Sequence, residues 1–114
     1  MSFRWPVKDP DETLDYSIDW SRFLDTATIS SVIWFVKTPE ISKTQIDAGE
    51  TLTTASGSTV TDSIQNISQT NTNTVTTINL GGGILNREYV FTCQIVDSTG
   101  STSERTVKLT IRQK

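Results

Sequence analysis

The feature that most constrains the fold is the strict alternation of apolar and polar residues from Leu14 to Trp20. Successive side chains of a β-strand point to opposite faces, so this pattern predicts a strand with one buried face. The inward set is Leu14, Tyr16, Ile18 and Trp20, and the outward set is Asp15, Ser17 and Asp19. A turn-prone acidic segment, Asp9-Pro10-Asp11, precedes the strand. The link from Ser21 to Ala27 can hold one helical turn.

The composition favours β structure along the whole chain. Its 114 residues include 20 Thr and 13 Ser but one Met and one Cys. Threonine suits half-exposed sheet faces, and Ser and Thr disfavour helix interiors. The length suits a single compact domain. We therefore predict one all-β domain.

The most apolar run is Thr28 to Lys37. Because it is apolar on both faces, we expect a central strand, or one whose outer face meets a partner. Ile29 and Trp34 have opposite parity along this run. Both can face inward only if a β-bulge lies at Ser30-Ser31.

Three further segments alternate near the C-terminal end: Thr74 to Leu80, Arg87 to Val96 and Glu104 to Arg112. The sequence Asp97 to Gly100 predicts a hairpin connection between the last two. Cys93 shares its face with Tyr89, Phe91 and Ile95, so we interpret it as a core residue rather than a reactive thiol.

The segment from Ile41 to Asn73 carries few apolar residues. Short strands are expected near Ile41 to Ile46 and Asp62 to Gln69, with a loop tip at Ala55 to Ser58. With so little apolar surface, we expect this segment to bury little. It should be the most mobile part of the chain or be ordered by other contacts.

Six to eight short strands and no helical periodicity predict an immunoglobulin-like, two-sheet antiparallel β-sandwich. Trp34 on an early apolar strand fits this class, as does Tyr89 after the corner Gly81-Gly82-Gly83. Cys93 has no mate, so the sandwich is expected to lack a disulfide. We divide the chain into an N-terminal arm with acidic turn, residues 1–10, and the sandwich, residues 11–114.

The N-terminal arm carries Phe3, Trp5 and Pro6 outside the regular pattern. It can pack back onto the sandwich as an edge piece, or it can dock on a neighbouring subunit. The sequence leaves both alternatives open.

The charge pattern argues against several function classes. The net charge is −3 and no basic stripe is present, so binding to nucleic acid or an anionic membrane is not expected. The apolar run Val32 to Val36 is too short to span a bilayer. The chain contains no histidine, so no Ser-His or Cys-His arrangement can form, and we expect neither catalysis nor a cofactor.

The acidic residues Asp9, Asp11 and Glu12 raise the question of calcium, which takes six to eight oxygens around one point. These three could bind it only with help from another loop. Asp15 and Asp19 lie about 13 Å apart on a strand and cannot share an ion. We favour a solvated turn or a surface for a basic partner.

The run K-D-P-D-E-x-L-D-Y-x-I-D-W-S-x-x-L from Lys8 to Leu24, with D-T-x-T-I-S-S-x-I-W after it, resembles the phage fiber-tail adaptor proteins. The C-terminal part is also similar, with a Gly-containing corner, a Tyr-led strand, a turn ending at Gly100 and a last strand with Arg105 and Val107. The resemblance covers residues 8–36 and 78–112. Residues 41–73 are longer and richer in Ser and Thr than the family leads us to expect.

This resemblance implies a virion protein of the phage tail, placed between the tail or portal-side ring and the receptor-binding fibers. It implies several symmetric copies and no catalytic role. The sequence itself carries no basic region followed by an apolar stretch, the pattern of a classical secretion signal, so we expect synthesis in the host cytoplasm. For such an adaptor, the candidate contact residues are Phe3, Arg4, Trp5, Asp9, Asp11 and Glu12.

Two alternatives remain beside the adaptor. One is a head decoration or tail accessory domain of the same fold. The other is a carbohydrate-binding β-sandwich module, in which Trp5, Trp20 and Trp34 would supply stacking faces. The parity of Trp20 and the apolar surroundings of Trp34 favour core packing instead.

Overall fold

The structure, a computed structural model, describes residues 2–38, 43–46, 50–53 and 61–113. Within these ranges the chain forms nine strands and one helical turn. Their bounds are β1 Ser2–Arg4, β2 Leu14–Asp19, α1 Ser21–Leu24, β3 Ile29–Lys37, β4 Thr44–Gln45, β5 Glu50–Thr53, β6 Thr61–Asn71, β7 Val75–Gly81, β8 Glu88–Asp97 and β9 Thr102–Thr110.

The described strands form two sheets, one in the order β1-β9-β8-β3-β4 and the other in the order β2-β7-β6-β5. All neighbours are antiparallel except β1 and β9, which are parallel. Along the described strands the chain changes sheet four times: between β1 and β2, β2 and β3, β4 and β5, and β7 and β8. This arrangement is an immunoglobulin-like sandwich, and Cys93 is buried as a free thiol. The predicted fold class is confirmed.

The alternation of β2 is realised as predicted. Tyr16, Ile18 and Trp20 are buried, while Asp15 and Asp19 are exposed. The strand pairs with β7 in a regular register from Leu14 to Asp19. The helical turn α1 follows at once and adds Leu24 to the core.

The predicted bulge in β3 is confirmed. The register of β3 against β8 shifts between Ile29 and Ser31. As a result Ile29 and Trp34 are both buried despite their opposite parity. Trp34 lies directly opposite Cys93 on β8.

Three residues in the described part of the middle segment are buried. Ile46 and Ile64 are fully buried, and so is Asn66, whose Nδ2 donates to Gln69 Oε1 at 2.8 Å and to the Ile46 carbonyl at 3.3 Å. These few buried residues have the correct parity to line one sheet face, and the other residues of the segment whose side chains the structure describes are half-buried or exposed. Strands β4 and β6 fall where short strands were predicted, but β5 was not predicted, and the proposed loop tip at residues 55–58 lies outside the described residues.

The corner between β7 and β8 has the features of a tyrosine corner. The Tyr89 hydroxyl accepts a hydrogen bond from the Ile84 backbone N–H at 3.0 Å. Gly82 and Gly83 adopt positive φ angles of 69° and 107°, which side chains other than glycine rarely tolerate. The glycine run is therefore a backbone requirement of this corner.

The core joins the inner faces of both sheets and includes polar members. The Oγ1 of the buried Thr76 accepts from Trp20 Nε1 at 3.1 Å and from Cys93 Sγ at 3.4 Å. The buried apolar residues are Trp5, Tyr16, Ile18, Trp20, Leu24, Ile29, Trp34, Val36, Ile46, Ile64, Ile78, Leu80, Tyr89, Phe91, Cys93, Ile95, Val107, Leu109 and Ile111.

Two glycines with similar backbone angles should respond differently to alanine. A Cβ at Gly83 would lie 2.9 Å from two carbons of the buried Ile111, whereas a Cβ at Gly100, with φ of 89°, would meet nothing within 4 Å. Both variants carry backbone strain of about 1 kcal/mol, and overpacking adds about 1–3 kcal/mol at Gly83 alone. We expect urea unfolding to show the larger loss of unfolding free energy for Gly83→Ala. Equal losses would contradict the clash with Ile111.

Candidate partner-binding surface

The N-terminal segment, residues 2–8, lies along the edge of the five-stranded sheet. After the β1–β9 pairing, Trp5 N–H donates to the Lys108 carbonyl at 2.9 Å and Lys8 N–H donates to the Thr110 carbonyl at 3.1 Å. The Lys8 carbonyl in turn accepts from Arg112 N–H at 2.8 Å. Residues 2–8 are therefore continuous with the sandwich.

Trp5 lies in the core, where it fills the flank between the two sheets. Its ring stacks on Tyr16 with the ring centroids 4.7 Å apart, and it contacts Phe91 at 5.7 Å and Trp34 at 6.0 Å. Only 8% of Trp5 is exposed. Trp5 was predicted as a contact residue, but its buried side chain instead holds the N-terminal segment against the sandwich. The side chain of Phe3, another predicted contact residue, lies outside the described part of the structure.

Arg4 is exposed at the same edge. Its Nη1 donates to Glu88 Oε2 at 3.0 Å and to Thr110 Oγ1 at 3.2 Å. Both members of the ion pair are largely solvated, so the pair contributes at most about 1 kcal/mol. Replacing the bond to Glu88 by a bond to a partner would therefore cost the Arg4 guanidinium little free energy.

The acidic turn, Asp9 to Glu12, is a hydrogen-bonded β-turn with Pro10 at its second position. The Asp9 carbonyl accepts from Glu12 N–H at 3.0 Å, which closes the turn. Glu12 Oε1 accepts from Asp9 N–H at 3.0 Å, and Asp9 Oδ1 accepts from Asp11 N–H at 2.9 Å. Asp9 and Glu12 thus hold their own turn, while Asp11 takes part through its amide and is exposed.

Lys8 anchors the turn from beneath. Its side chain is fully buried, and Nζ donates to the Asp9 carbonyl at 2.9 Å and to the Gly82 carbonyl at 2.6 Å. One ammonium group therefore ties the acidic turn to the glycine corner. Sequence reasoning did not single out Lys8, because lysine is almost never fully buried and no local pattern marks it.

Glu12 also acts on the strand that follows the turn. Burial, with the nearby Glu12 carboxylate as a smaller cause, raises the pKa of Tyr16 to about 12. The phenol stays protonated and donates to the Pro6 carbonyl at 3.4 Å. This contact adds to the attachment of the N-terminal segment.

A cleft of about 300 Å³ opens on the flank where β1 and β9 face β2. Its lining residues are Arg4, Trp5, Ser17, Ile18, Asp19, Arg105 and Val107. The Arg105 guanidinium lies over the rings of Trp20, at 5.1 Å, and of the exposed Phe23, at 5.8 Å. Arg105 lies two residues before Val107 on β9 and so points to the same inward face. The alternation of β9 could therefore have predicted that Arg105 faces the flank of the sandwich.

Asp19 borders this cleft. Hydrogen bonds from Ser21, with a smaller effect of Arg105, lower the pKa of the Asp19 carboxyl below its usual range. Its Oδ1 accepts from Ser21 N–H at 2.9 Å at the start of α1. Asp19 is therefore a fixed negative charge beside the cleft.

Two other kinds of site are absent from the described residues. Across residues 2–38, 43–46, 50–53 and 61–113, no three acidic or thiol side chains lie close enough together to hold a metal ion. In those same ranges no helix has the length and apolar character needed to cross a membrane.

The order of the two sheets, the tyrosine corner and the opposed Trp34 and Cys93 define an immunoglobulin-like β-sandwich domain. A hydrogen-bonded N-terminal turn is attached to it. A family model described as the podophage GP4 fiber-tail adaptor protein gp77 matches residues 8–110. The chain belongs to this family, a group of phage tail structural proteins, and the predicted resemblance is confirmed. The match begins at Lys8 and runs through residues 41–73, where the sequence looked atypical. No curated protein matches the chain.

Trp5 should be essential for stability although it belongs to the N-terminal segment. Trp5→Ala removes a buried indole between the sheets, and we expect a loss of about 3–5 kcal/mol in unfolding free energy. Phe23→Ala is the control, because Phe23 is 51% exposed and its truncation should cost less than about 1 kcal/mol. Urea denaturation followed by fluorescence measures both, and similar losses would contradict the role of Trp5.

Cys93 should be inert while the chain is folded. Burial raises the pKa of its thiol to about 12, so almost no thiolate is present at neutral pH. We expect a thiol reagent to leave the native protein unmodified and to react fully in denaturant. Rapid modification of the native protein would show that Cys93 is accessible.

Proposed function

We propose that this chain is a non-enzymatic structural protein of the virion tail that links the tail or portal-side ring to the tail fibers. The observation that carries the proposal is the family match over residues 8–110. On this view the chain is made in the host cytoplasm and assembles into the particle without a cofactor.

The geometry supports a rigid connector. The N-terminal segment is attached at three points. β1 pairs with the last strand, Trp5 packs in the core, and Lys8 bonds to the glycine corner. The acidic turn then has one conformation, set by its own three hydrogen bonds. A surface held in its binding conformation loses little conformational entropy when a partner docks.

Within this proposal, the acidic turn is the contact surface for a basic partner. Asp11 projects into solvent, and Asp9 and Glu12 flank it half-buried. Arg4, and Phe3 on the same strand, are proposed as further contacts at the sheet edge. Trp5 contributes by fixing the segment that carries them.

We also propose that several symmetric copies act together. A ring of identical adaptors repeats the same contact, so weak individual contacts give firm overall attachment. This suits a contact surface as small as one turn and one strand edge.

The carbohydrate-binding alternative loses its stacking faces in this structure. Trp5 is 8% exposed and Trp20 and Trp34 are each 1% exposed. No observation favours the head decoration or tail accessory alternative over a tail adaptor, and the family description names the fiber-tail junction.

Asp11→Lys should separate folding from assembly. The hydrogen bonds that shape the turn use the Asp11 amide and not its carboxylate, so we expect an unchanged unfolding midpoint. Against a basic partner, the reversed charge should lower incorporation into particles by about tenfold, the effect of about 1.4 kcal/mol. Quantitative analysis of purified particles from complemented infections measures it.

Glu104→Lys is the matched control. It makes the same change of charge at another exposed residue, whose carboxylate forms a solvated ion pair with Lys43. We expect normal incorporation of this variant. Equal incorporation of both variants would show that the acidic turn does not contact the partner.

A further inference from the structure

We propose that the outer edge of β2, which pairs with no other strand among the described residues, binds an extended segment of an unlike partner chain in which basic and apolar residues alternate. The proposal rests on the adaptor function and deepens it, because it states the chemistry of one partner. It concerns a different surface from the acidic turn.

The hydrogen-bonding pattern shows which backbone groups face this edge. Trp20 N–H donates to the Thr74 carbonyl at 2.8 Å, in register with the other pairs of β2 and β7. Since hydrogen-bonded pairs alternate in an antiparallel ladder, the backbone groups of Asp15, Ser17 and Asp19 point away from β7. The Ser17 carbonyl accepts from Trp5 Nε1 on that side at 3.4 Å, which agrees with this direction. That carbonyl is therefore already partnered, and an added strand would pair with the Ser17 N–H and with the backbone groups of Asp15 and Asp19.

The edge lacks the usual protection against strand pairing. Short length, bulges and charges normally prevent an edge strand from pairing with another chain. β2 has six residues, against three in β1, two in β4 and four in β5, the other edge strands of the described sheets. Its register against β7 has no shift, unlike the β3–β8 and β6–β7 pairs.

The charges of β2 are turned away from the edge. Asp15 Oδ1 accepts from Asn79 Nδ2 at 2.6 Å across the outer sheet face, and Asp19 Oδ1 accepts from Ser21 N–H. Neither carboxylate is held across the path of an incoming strand. Asp15 lies on the outer face, and Asp19 also borders the flank cleft. Cross-strand neighbours of opposite charge at these two positions would stabilise the pairing.

The same two charges argue against a second copy of this chain as the occupant. Two β2 strands paired antiparallel about Ser17 would place Asp15 of each copy opposite Asp19 of the other. Like charges directly opposite each other are destabilising. The occupant is therefore an unlike chain, with Lys or Arg at the positions that face Asp15 and Asp19.

The inner side of the edge has room for apolar side chains. The flank cleft of about 300 Å³ lies next to β2. Its apolar lining comes from Trp5, Ile18 and Val107, and Arg4 and Arg105 line it as well. Every second residue of an added strand would point into this cleft. Strand addition of this kind takes affinity from backbone hydrogen bonds and specificity from alternate side chains.

The test uses the full chain and two short blocked peptides, one of alternating Val and Lys and one of alternating Val and Glu. Each is titrated into isotope-labelled protein while the amide signals of Asp15, Ser17 and Asp19 are followed by NMR. We expect the Lys peptide to bind at these amides and the Glu peptide to bind at least about tenfold more weakly. Absence of binding, equal binding of the two peptides, or signal changes elsewhere would overturn the proposal.

Ser17→Pro and Ser17→Ala form a matched pair of variants. Both lose the 2.9 Å hydrogen bond between Ser17 Oγ and Thr77 Oγ1, but only proline removes the outward N–H, a position where edge strands tolerate it. We expect Ser17→Pro to bind the Lys peptide at least about tenfold more weakly than Ser17→Ala. Equal affinities of two folded variants would overturn the proposal.

Asp15→Lys tests peptide binding at the β2 edge if the Ser17→Pro variant does not fold. We expect this variant to bind the Glu peptide more tightly and the Lys peptide more weakly than the natural chain does, and unchanged affinities would overturn the proposal. Peptide binding is measured on the isolated chain, so its failure bears on β2 alone. Failure of the adaptor function would instead appear as particles that assemble normally without this protein.

Discussion

The indole of Trp5 lies where the two sheets meet along one flank, against Tyr16 of one sheet and Trp34 and Phe91 of the other. A sandwich is held by apolar contact between its inner faces, and here a residue from the N-terminal segment supplies that contact at the side. The position of Trp5 fixes the path of the chain toward Lys8 and the acidic turn.

Polar residues inside the sandwich explain how a chain so rich in threonine can build a core. Thr76 accepts hydrogen bonds from two buried donors, and Asn66 joins the middle of the chain to β4. A buried polar group costs free energy unless it is hydrogen-bonded. Such interior bonds are directional and favour one register over its alternatives, which apolar packing alone does only weakly.

Local alternation predicted β2, β3 with its bulge, β8 and β9, because a period of two depends on neighbouring residues alone. It could not predict the burial of Trp5 or Lys8. Trp5 depends on the pairing of β1 with β9 at the far end of the chain, and Lys8 depends on the carbonyl of Gly82. For the same reason, the acidic turn could be predicted as a candidate surface, but the outer edge of β2 could not, since strand order is not a local property.

The parallel pairing of β1 with β9 has a mechanical consequence. The first and last strands of the described chain lie side by side, joined by bonds such as those from Trp5 and Lys8 to β9 and its extension. A pull that separates the two ends loads these bonds in shear, so they must break together and not one after another. In the proposed linking role, tension arises when the fibers hold a cell, and this strand pair would then resist stretching of the chain along its length.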